Sequence, residues 1–307
     1  MAAAGRRPSA AVLLACIALA GCGGGGHSRR QATSPTVARA AAAPATTTAP
    51  RTEPAQATPP AAAATAATTT TAPVATDAAA LGAALAQSEE AVRRDDLSAA
   101  ERARYGQILA LGYRLLAAHP DWVPAVLAVA PPNVKPAVDR NARAAIQLRA
   151  LSHPKTAIPP WHIVEPRPAA SLLAYYHEAE NATGVPWAVL AAVHMTETNM
   201  GRIRGDSTAG AQGPMQFLPA TWSAYGRGDI HDDHDAIQAA ARYLKANGAP
   251  GDLRSALRHY NHSDHYVNAV LLLAEEMNSD PRAYASYYFR PVVYSLVTGD
   301  VVLPVTG

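Results

Sequence analysis

The sequence predicts a mainly α protein closed by a short C-terminal β-hairpin. Three observations carry this expectation. The segment after Pro186 is apolar from Trp187 to Val193 and free of helix breakers as far as Met200, Ser and Asp residues stand just ahead of several runs with helical spacing, and the tail after Ser286 turns to strand-like runs of Val, Tyr and Leu. Composition limits how much of the chain can join that fold, because 25 Pro and 20 Gly among 307 residues, with many Ala and Thr, mark part of it as non-globular. The formal charge is only +2, which gives no footprint for nucleic acid as a partner. The basic residues are nearly all Arg, with Lys135, Lys155 and Lys245 the only lysines.

At the N-terminus Arg6 and Arg7 precede an apolar run from Ala10 to Ala20, which closes on Leu19-Ala20-Gly21-Cys22. This pattern reads as a secretory signal over 1–22 that ends in a lipidation box, with Cys22 as the acylated mature N-terminus. An ordinary signal peptide with a small-residue cleavage site is the alternative. The run is shorter than the roughly 20 residues that a permanent membrane helix needs, so the expected anchor is lipid. Cys16 would leave with the signal and Cys22 would carry the lipid, which leaves no disulfide for the folded part. Residues 23–76 follow as a spacer: up to Ala75 they are rich in Ala, Thr and Pro and hold no aromatic residue, Leu or Ile, too little apolar surface to fold. Such a segment also suits a glycosylated stalk.

Residues 77–157 are expected to form a helical N-terminal region. Asp77 can cap a helix to Asp95, and Ser98-Ala99-Ala100-Glu101 is a capping box opening a helix that runs to Pro120. Asp121 is expected to cap a short helix through Leu127, and Asn133 to open one in which Val134, Val138, Ala142, Ile146 and Ala150 share a face. No catalytic cluster shows here. His119 and His153 read as helix-end or surface residues, and the region as a buttress or a docking face for a partner.

Residues 158–280 hold the chemistry. The Pro-spaced stretch from Pro159 to Pro168 is extended, with Trp161 and Ile163 as wedges, and a helix from Ala169 to Asn181 follows. In the next helix Pro186 suits the first position and Gly201 the stop. Leu190, Val193, His194 and Glu197 fall at i, i+3, i+4 and i+7, so Glu197 shares an apolar stripe. Burial, and the negative end of the helix dipole, should both raise its pKa toward the range of a general acid. A loop of small residues from Ser207 to Gln216 comes next and lets a ligand approach backbone closely. Glu178, Glu180 and Asp206 are the candidate second acids, and they read as solvated or turn-forming. The acidic stretch from Asp229 to Asp235 lacks the spacing of a calcium-binding loop, so no metal site is expected, and Asp235 reads as the cap of a helix to Asn247. Asp252 should cap a helix ending at Tyr260-Asn261, and Ser263 one reaching Met277 with Tyr266 in its first turn. The tail, 281–307, should form a hairpin of Val292–Val297 and Val301–Leu303 around Thr298-Gly299-Asp300.

Together Glu197 in Glu197-Thr198-Asn199-Met200-Gly201-Arg202, the loop with Gly213, Met215 and Gln216, and Tyr260-Asn261 resemble the lysozyme-like domain of lytic transglycosylases, over about Trp161 to Met277. The resemblance implies a lysozyme-like fold and peptidoglycan glycan strands as substrate. It implies Glu197 as the lone catalytic residue, and Ser207, Gly213, Met215, Gln216, Tyr260, Asn261 and Tyr266 as lining of the glycan groove. For Tyr260 and Tyr266 core packing is the competing reading. The implied reaction is that of a carbon–oxygen lyase: the bond between N-acetylmuramic acid and N-acetylglucosamine is broken with a 1,6-anhydro end formed, without cofactor. A hydrolytic muramidase of the same fold and a non-catalytic glycan-binding lipoprotein remain as rivals. The expected place is extracytoplasmic, monomeric and held to the membrane by the lipid on Cys22.

Overall fold

The computed structural model describes residues 75–306. Cys22, the signal and nearly all of the spacer lie outside the described residues. Four helices open the described part: α1 (Ala78–Val92), α2 (Ala99–Ala118), α3 (Val123–Val129) and α4 (Lys135–Ala150). Asp77 caps α1 by accepting from the Ala80 N–H at 2.8 Å. Ser98 and Glu101 form the reciprocal capping box at the start of α2. Two expected caps are not used. Asp121 lies inside a 3₁₀ turn, Pro120–Trp122, so its own backbone is already helical and cannot take the extended cap conformation. Asn133 turns its side chain away to donate to Glu90 Oε1 at 2.8 Å, and the start of α4 is instead closed by the Pro131 carbonyl, which accepts from Val134 and Lys135.

A strand β1 (His162–Ile163) then leads to α5 (Ala169–Thr183) and α6 (Trp187–Thr198), the helix around which the larger core is built. Pro186 stands just before α6 rather than in its first turn, and the Trp187 N–H is answered by Glu180 Oε1 at 3.1 Å. Strand β2 (Ile203–Arg204) pairs antiparallel with β1, Ile163 facing Ile203. The helices α7 (Pro219–Tyr225), α8 (Asp233–Ala246), α9 (Leu253–Tyr260) and α10 (Asp264–Ser279) complete the head. Asp232, not Asp235, caps α8: its Oδ1 accepts from His234 and Asp235, while Asp235 reaches back to the Asp229 N–H at 2.9 Å. Asp252 caps α9 as expected, but Ser263 makes no side-chain capping bond to α10.

The tail begins as helix. A 3₁₀ turn, Pro281–Ala283, and α11 (Tyr284–Tyr288) send Ala283, Tyr284 and Tyr287 into the main core, and only then does the hairpin of β3 (Val293–Leu296) and β4 (Gly299–Val302) form. Its connection is Val297-Thr298, because Leu296 pairs directly with Gly299, whose φ of 123° only Gly takes readily. Val292, Tyr294, Val301 and Leu303 close over Ile163 and Ile203 in a small separate cluster.

Residues of α1–α4 form their own apolar cluster around Leu85, Leu109, Leu116 and Val138. A buried ionic seam joins that layer to α10. Arg93 donates to Glu89 (2.5 Å), Glu276 (2.8 Å) and Asp280 (3.0 Å), and Arg140 reaches the second oxygen of Glu276 at 2.7 Å. Glu89 also accepts from Tyr113 (2.7 Å) and Asn141 (3.1 Å). Each buried oxygen of this pair of acids thus meets a donor, which is the condition for burying charge at tolerable cost.

Candidate active site

The end of α6 sets the site. Residues Ala188 to His194 and Thr196 to Thr198 are all buried, so the helix has almost no solvent face and Glu197 is only 1% exposed. Burial pushes its carboxyl up to about 8, against the Tyr266 hydroxyl, which donates to Oε1 at 2.8 Å and works the other way. The carboxyl is therefore held largely protonated at neutral pH.

The chain leaves α6 three residues earlier than the Gly201 stop the sequence suggested. Asn199, Met200 and Gly201 take φ of 53°, 63° and 77° in succession. Tertiary bonds hold these left-handed residues, since isolated Asn and Met gain little there. The Asn199 amide donates to the Arg290 carbonyl at 3.0 Å, and at Gly201 an added Cβ would lie 2.3 Å from Asp233 Oδ1.

From β2 the chain enters the small-residue loop, which is bolted to the helix that carries Glu197. The Gln212 and Phe217 backbones exchange two hydrogen bonds of 2.9 Å, closing the turn Gly213-Pro214-Met215-Gln216. Thr198 donates to the Pro214 carbonyl at 2.5 Å, and Tyr260 to the Met215 carbonyl at 2.7 Å. Gly213 has φ 72°, and a Cβ there would meet the Ile230 carbonyl oxygen at 1.9 Å, so no other residue fits. Gln216 also has positive φ, 50°, and folds its amide back onto the Gly213 carbonyl at 2.9 Å.

These bonds set Tyr266 on Glu197, Tyr260 on the Met215 carbonyl and Gln216 on its own turn, and Met215, Gln216, Tyr260 and Tyr266 are all fully buried. Tyr260 and Tyr266 lie parallel, centroids 6.5 Å apart, as a stack that supports the turn and the carboxyl. Their phenols are both pushed up, first by burial and then by the Glu197 charge. Asn261 is nearly buried and accepts from the Ser263 N–H, and Ser207 accepts from Ala209 and Ala211 within its own loop. Those two shape backbone near the site. Of the other acids, Asp206 accepts from Gln212 at 3.2 Å, and Glu178 faces His234 on the surface.

One group was not legible in the sequence as part of the site. His194, a turn before Glu197, is buried between the Tyr176 hydroxyl (2.7 Å from Nδ1) and Asp233 (3.5 Å from Nε2), and Asp233 in turn binds Arg204 at 2.7 Å. Burial works to raise Asp233, and the His194 hydrogen bond and the Arg204 guanidinium outweigh it and hold the carboxyl below its ordinary value. The chain of contacts links α6, α8 and β2 behind the turn at Gly201. Its only sequence signal was a His on an apolar stripe.

Asp232, His234 and Asp235 have ligand atoms close enough to share a cation. Their side chains are already engaged in the α8 cap, with the Asp229 N–H and with Glu178.

Residues 174–279 match the family model of the transglycosylase SLT domain. Neither a curated protein nor a solved structure gives a significant match. The matched span runs from within α5 to the end of α10 and contains Glu197, the Gly213–Gln216 turn, Tyr260, Asn261 and Tyr266. Residues 174–279 are thus similar to the transglycosylase SLT domain, a lysozyme-like and mainly α domain of enzymes that act on peptidoglycan.

Proposed function

We propose that the protein cleaves the glycosidic bond between N-acetylmuramic acid and N-acetylglucosamine with formation of a 1,6-anhydromuramic end. The observation that carries this reading is Glu197, a carboxyl held up to about 8 by burial beside a rigid small-residue turn. In the proposed sequence the Glu197 carboxyl gives its proton to the glycosidic oxygen as the bond to the anomeric carbon breaks. The substrate's own 2-acetamido oxygen bonds to that carbon in place of an enzyme nucleophile. The Glu197 carboxylate then takes the proton of the 6-hydroxyl, and O6 attacks the anomeric carbon and displaces the acetamido oxygen. Protons balance, the carboxyl is regenerated and no water is consumed. A second enzymic acid, which two-carboxylate glycosidases place about 5 to 9.5 Å away, has no part in this scheme.

Within this reading Tyr266 orients the carboxyl. Tyr260 and Thr198 hold the Met215 and Pro214 carbonyls, so Gly213, Met215 and Gln216 serve the glycan through the shape of their backbone, with Ser207 and Asn261 shaping the adjoining loops. The hydrolytic alternative differs by one water in its product. Mass spectrometry of peptidoglycan digested by the protein decides between them: anhydro ends are expected, reducing ends would replace this mechanism with a muramidase, and no release would leave a glycan binder.

The same proposal places the protein outside the cytoplasm, anchored by lipid on Cys22 with 23–76 as the tether. The motif Leu19-Ala20-Gly21-Cys22 supports it. Cys22→Ala should move the protein from the membrane to the soluble fraction, and a variant that stays membrane-bound would refute the anchor.

A further inference from the structure

A cavity of about 200 Å³ lies between α2, α4, the last turn of α6 and the C-terminal hairpin. Glu197 does not line it. Met195, Thr196 and Asn199 do, and at 100° per residue they point largely away from the Glu197 side of the helix. The walls are mainly apolar, with Leu148, Trp161, Met195 and Leu273 among them, and five further lining residues are basic: Arg114, Arg149, His153, Lys155 and Arg290. Among the described residues no Asp or Glu lines it.

Arg290 is a nearly buried member of the lining. Its guanidinium lies over the rings of Tyr113 (5.2 Å) and Tyr287 (4.7 Å), and it donates from Nε to the Ser286 carbonyl and from Nη2 to Asn141 and Ser286. Those bonds fix its plane and leave Nη1 without a hydrogen-bond partner among the described residues. The nearest acid, Glu89, is 3.9 Å from Nη2 and is itself held by Arg93. Of the other lining residues Arg114 is paired with Asp300, whose charge also acts on Arg149, an exposed residue. A half-enclosed apolar space with a pre-oriented guanidinium and surplus positive charge is suited to one chemistry, an organic anion whose body packs on the walls.

We propose that this cavity is a binding site for a small organic carboxylate, the carboxylate facing Arg290 Nη1 and the other basic residues and the apolar body lying along Leu148, Trp161 and Leu273. The carboxylate could belong to a free acid or to the end of a short peptide. Both present the same group, and neither requires the glycan chemistry proposed for Glu197. The test uses the full chain and four probes: hexanoate, N-acetyl-alanyl-alanine and the neutral amide of each, followed by backbone NMR.

At least one acid should shift resonances of Leu148–Ser152, Met195–Asn199 and Val292–Ser295 in a saturable way, its amide binding at least about tenfold more weakly because a charge-assisted bond becomes a neutral one. Arg149→Gln with Lys155→Gln should weaken the acid about tenfold, and Ala145→Phe, which fills the space, should abolish the shifts. Whichever acid binds more tightly identifies the source. If neither acid shifts these residues, if amide and acid bind alike, or if Ala145→Phe binds as the native chain does, the site is refuted. Because every readout is binding to the cavity, a failure here says nothing against Glu197, and an inactive Glu197 says nothing against the cavity.

Discussion

Two buried carboxyl sites in this molecule have opposite surroundings. Glu89 and Glu276, in the seam between the N-terminal helices and α10, share the guanidinium of Arg93, while Arg140 reaches Glu276 and the buried side chains of Tyr113 and Asn141 complete the hydrogen bonding of Glu89. Burial works to lower Arg93, and the charge and hydrogen bonds of Glu89, with Glu276 behind them, raise it above its ordinary value instead. Glu197 is equally buried but is held by a neutral phenol, and its carboxyl rises to about 8. The difference teaches that burial alone does not decide what an acid does. Surrounded by guanidinium it acts as a structural joint, and beside a phenol it retains a proton that it can give away.

The sharpest way to break that comparison is Glu197→Gln. The amide keeps the size of the side chain and can still accept from Tyr266, yet it has no acidic proton. General acid–base catalysis typically contributes about 10² to 10⁴ in rate, and here one group serves both steps, so glycan cleavage should fall by about 10⁴ or more while the fold persists. Comparing initial rates of anhydro-end release at equal folded concentration checks this, and an active variant would make Glu197 a structural acid like Glu276.

The converse substitution lies in the seam. Arg93→Met should leave Glu89 and Glu276 facing each other without their shared cation, at a cost of about 3–5 kcal/mol in stability. Urea unfolding of this variant beside Glu197→Gln sharpens the contrast: the seam variant should lose far more stability than the site variant.

A third test uses pH. The Glu197 carboxyl has an ordinary value of 4.5 and rises to about 8 in the fold, so the native state binds this proton more tightly than the unfolded chain. Its contribution to stability is full below the unfolded value and is lost as pH rises through about 8. Between those limits the slope approaches about 1.4 kcal/mol per pH unit. Unfolding measured at successive pH values should therefore show the native protein losing ground to Glu197→Gln as pH rises. Cleavage should decline over the same alkaline limb as the acid is lost, and a rate independent of pH up to 10 would contradict the assigned role.

The smallest expected effect is that of Tyr266→Phe. Removing a hydroxyl that donates to the carboxylate should cost about 1 kcal/mol in stability and move the alkaline limb of the rate upward, since the phenol stabilises the charged form. A pH–rate profile separates this from simple loss of packing, which would lower the rate without moving the limb.

Much of the architecture was legible because it rests on local rules. The capping boxes and caps at Ser98, Asp77 and Asp252 satisfy their own helix ends through bonds spanning three residues, so sequence spacing alone reveals them. Asp121, Asn133 and Asp235 follow the same local rule but do not cap. Pro120 pre-set a 3₁₀ turn, Glu90 from another helix took the Asn133 amide, and Asp232 stood three residues nearer the helix start. The early end of α6 belongs with these, because Arg290, ninety-one residues on, holds Asn199 in its left-handed turn.

By itself the sequence determined that the protein is mainly α, that Glu197 lies on an apolar stripe, and that a small-residue loop and a Tyr-Asn pair accompany it, because periodicity and residue type follow from the covalent chain. Only the tertiary structure decided which side chains Glu197 meets, that Tyr260, Met215 and Gln216 support the turn from within the core, and that His194 is paired with Asp233. Those outcomes depend on residues 39 to 69 positions apart reaching one another, as Tyr266 reaches Glu197 and Tyr260 reaches Met215. The pKa of a buried carboxyl depends on which groups share its low-dielectric surroundings, and that is settled only when the helices pack.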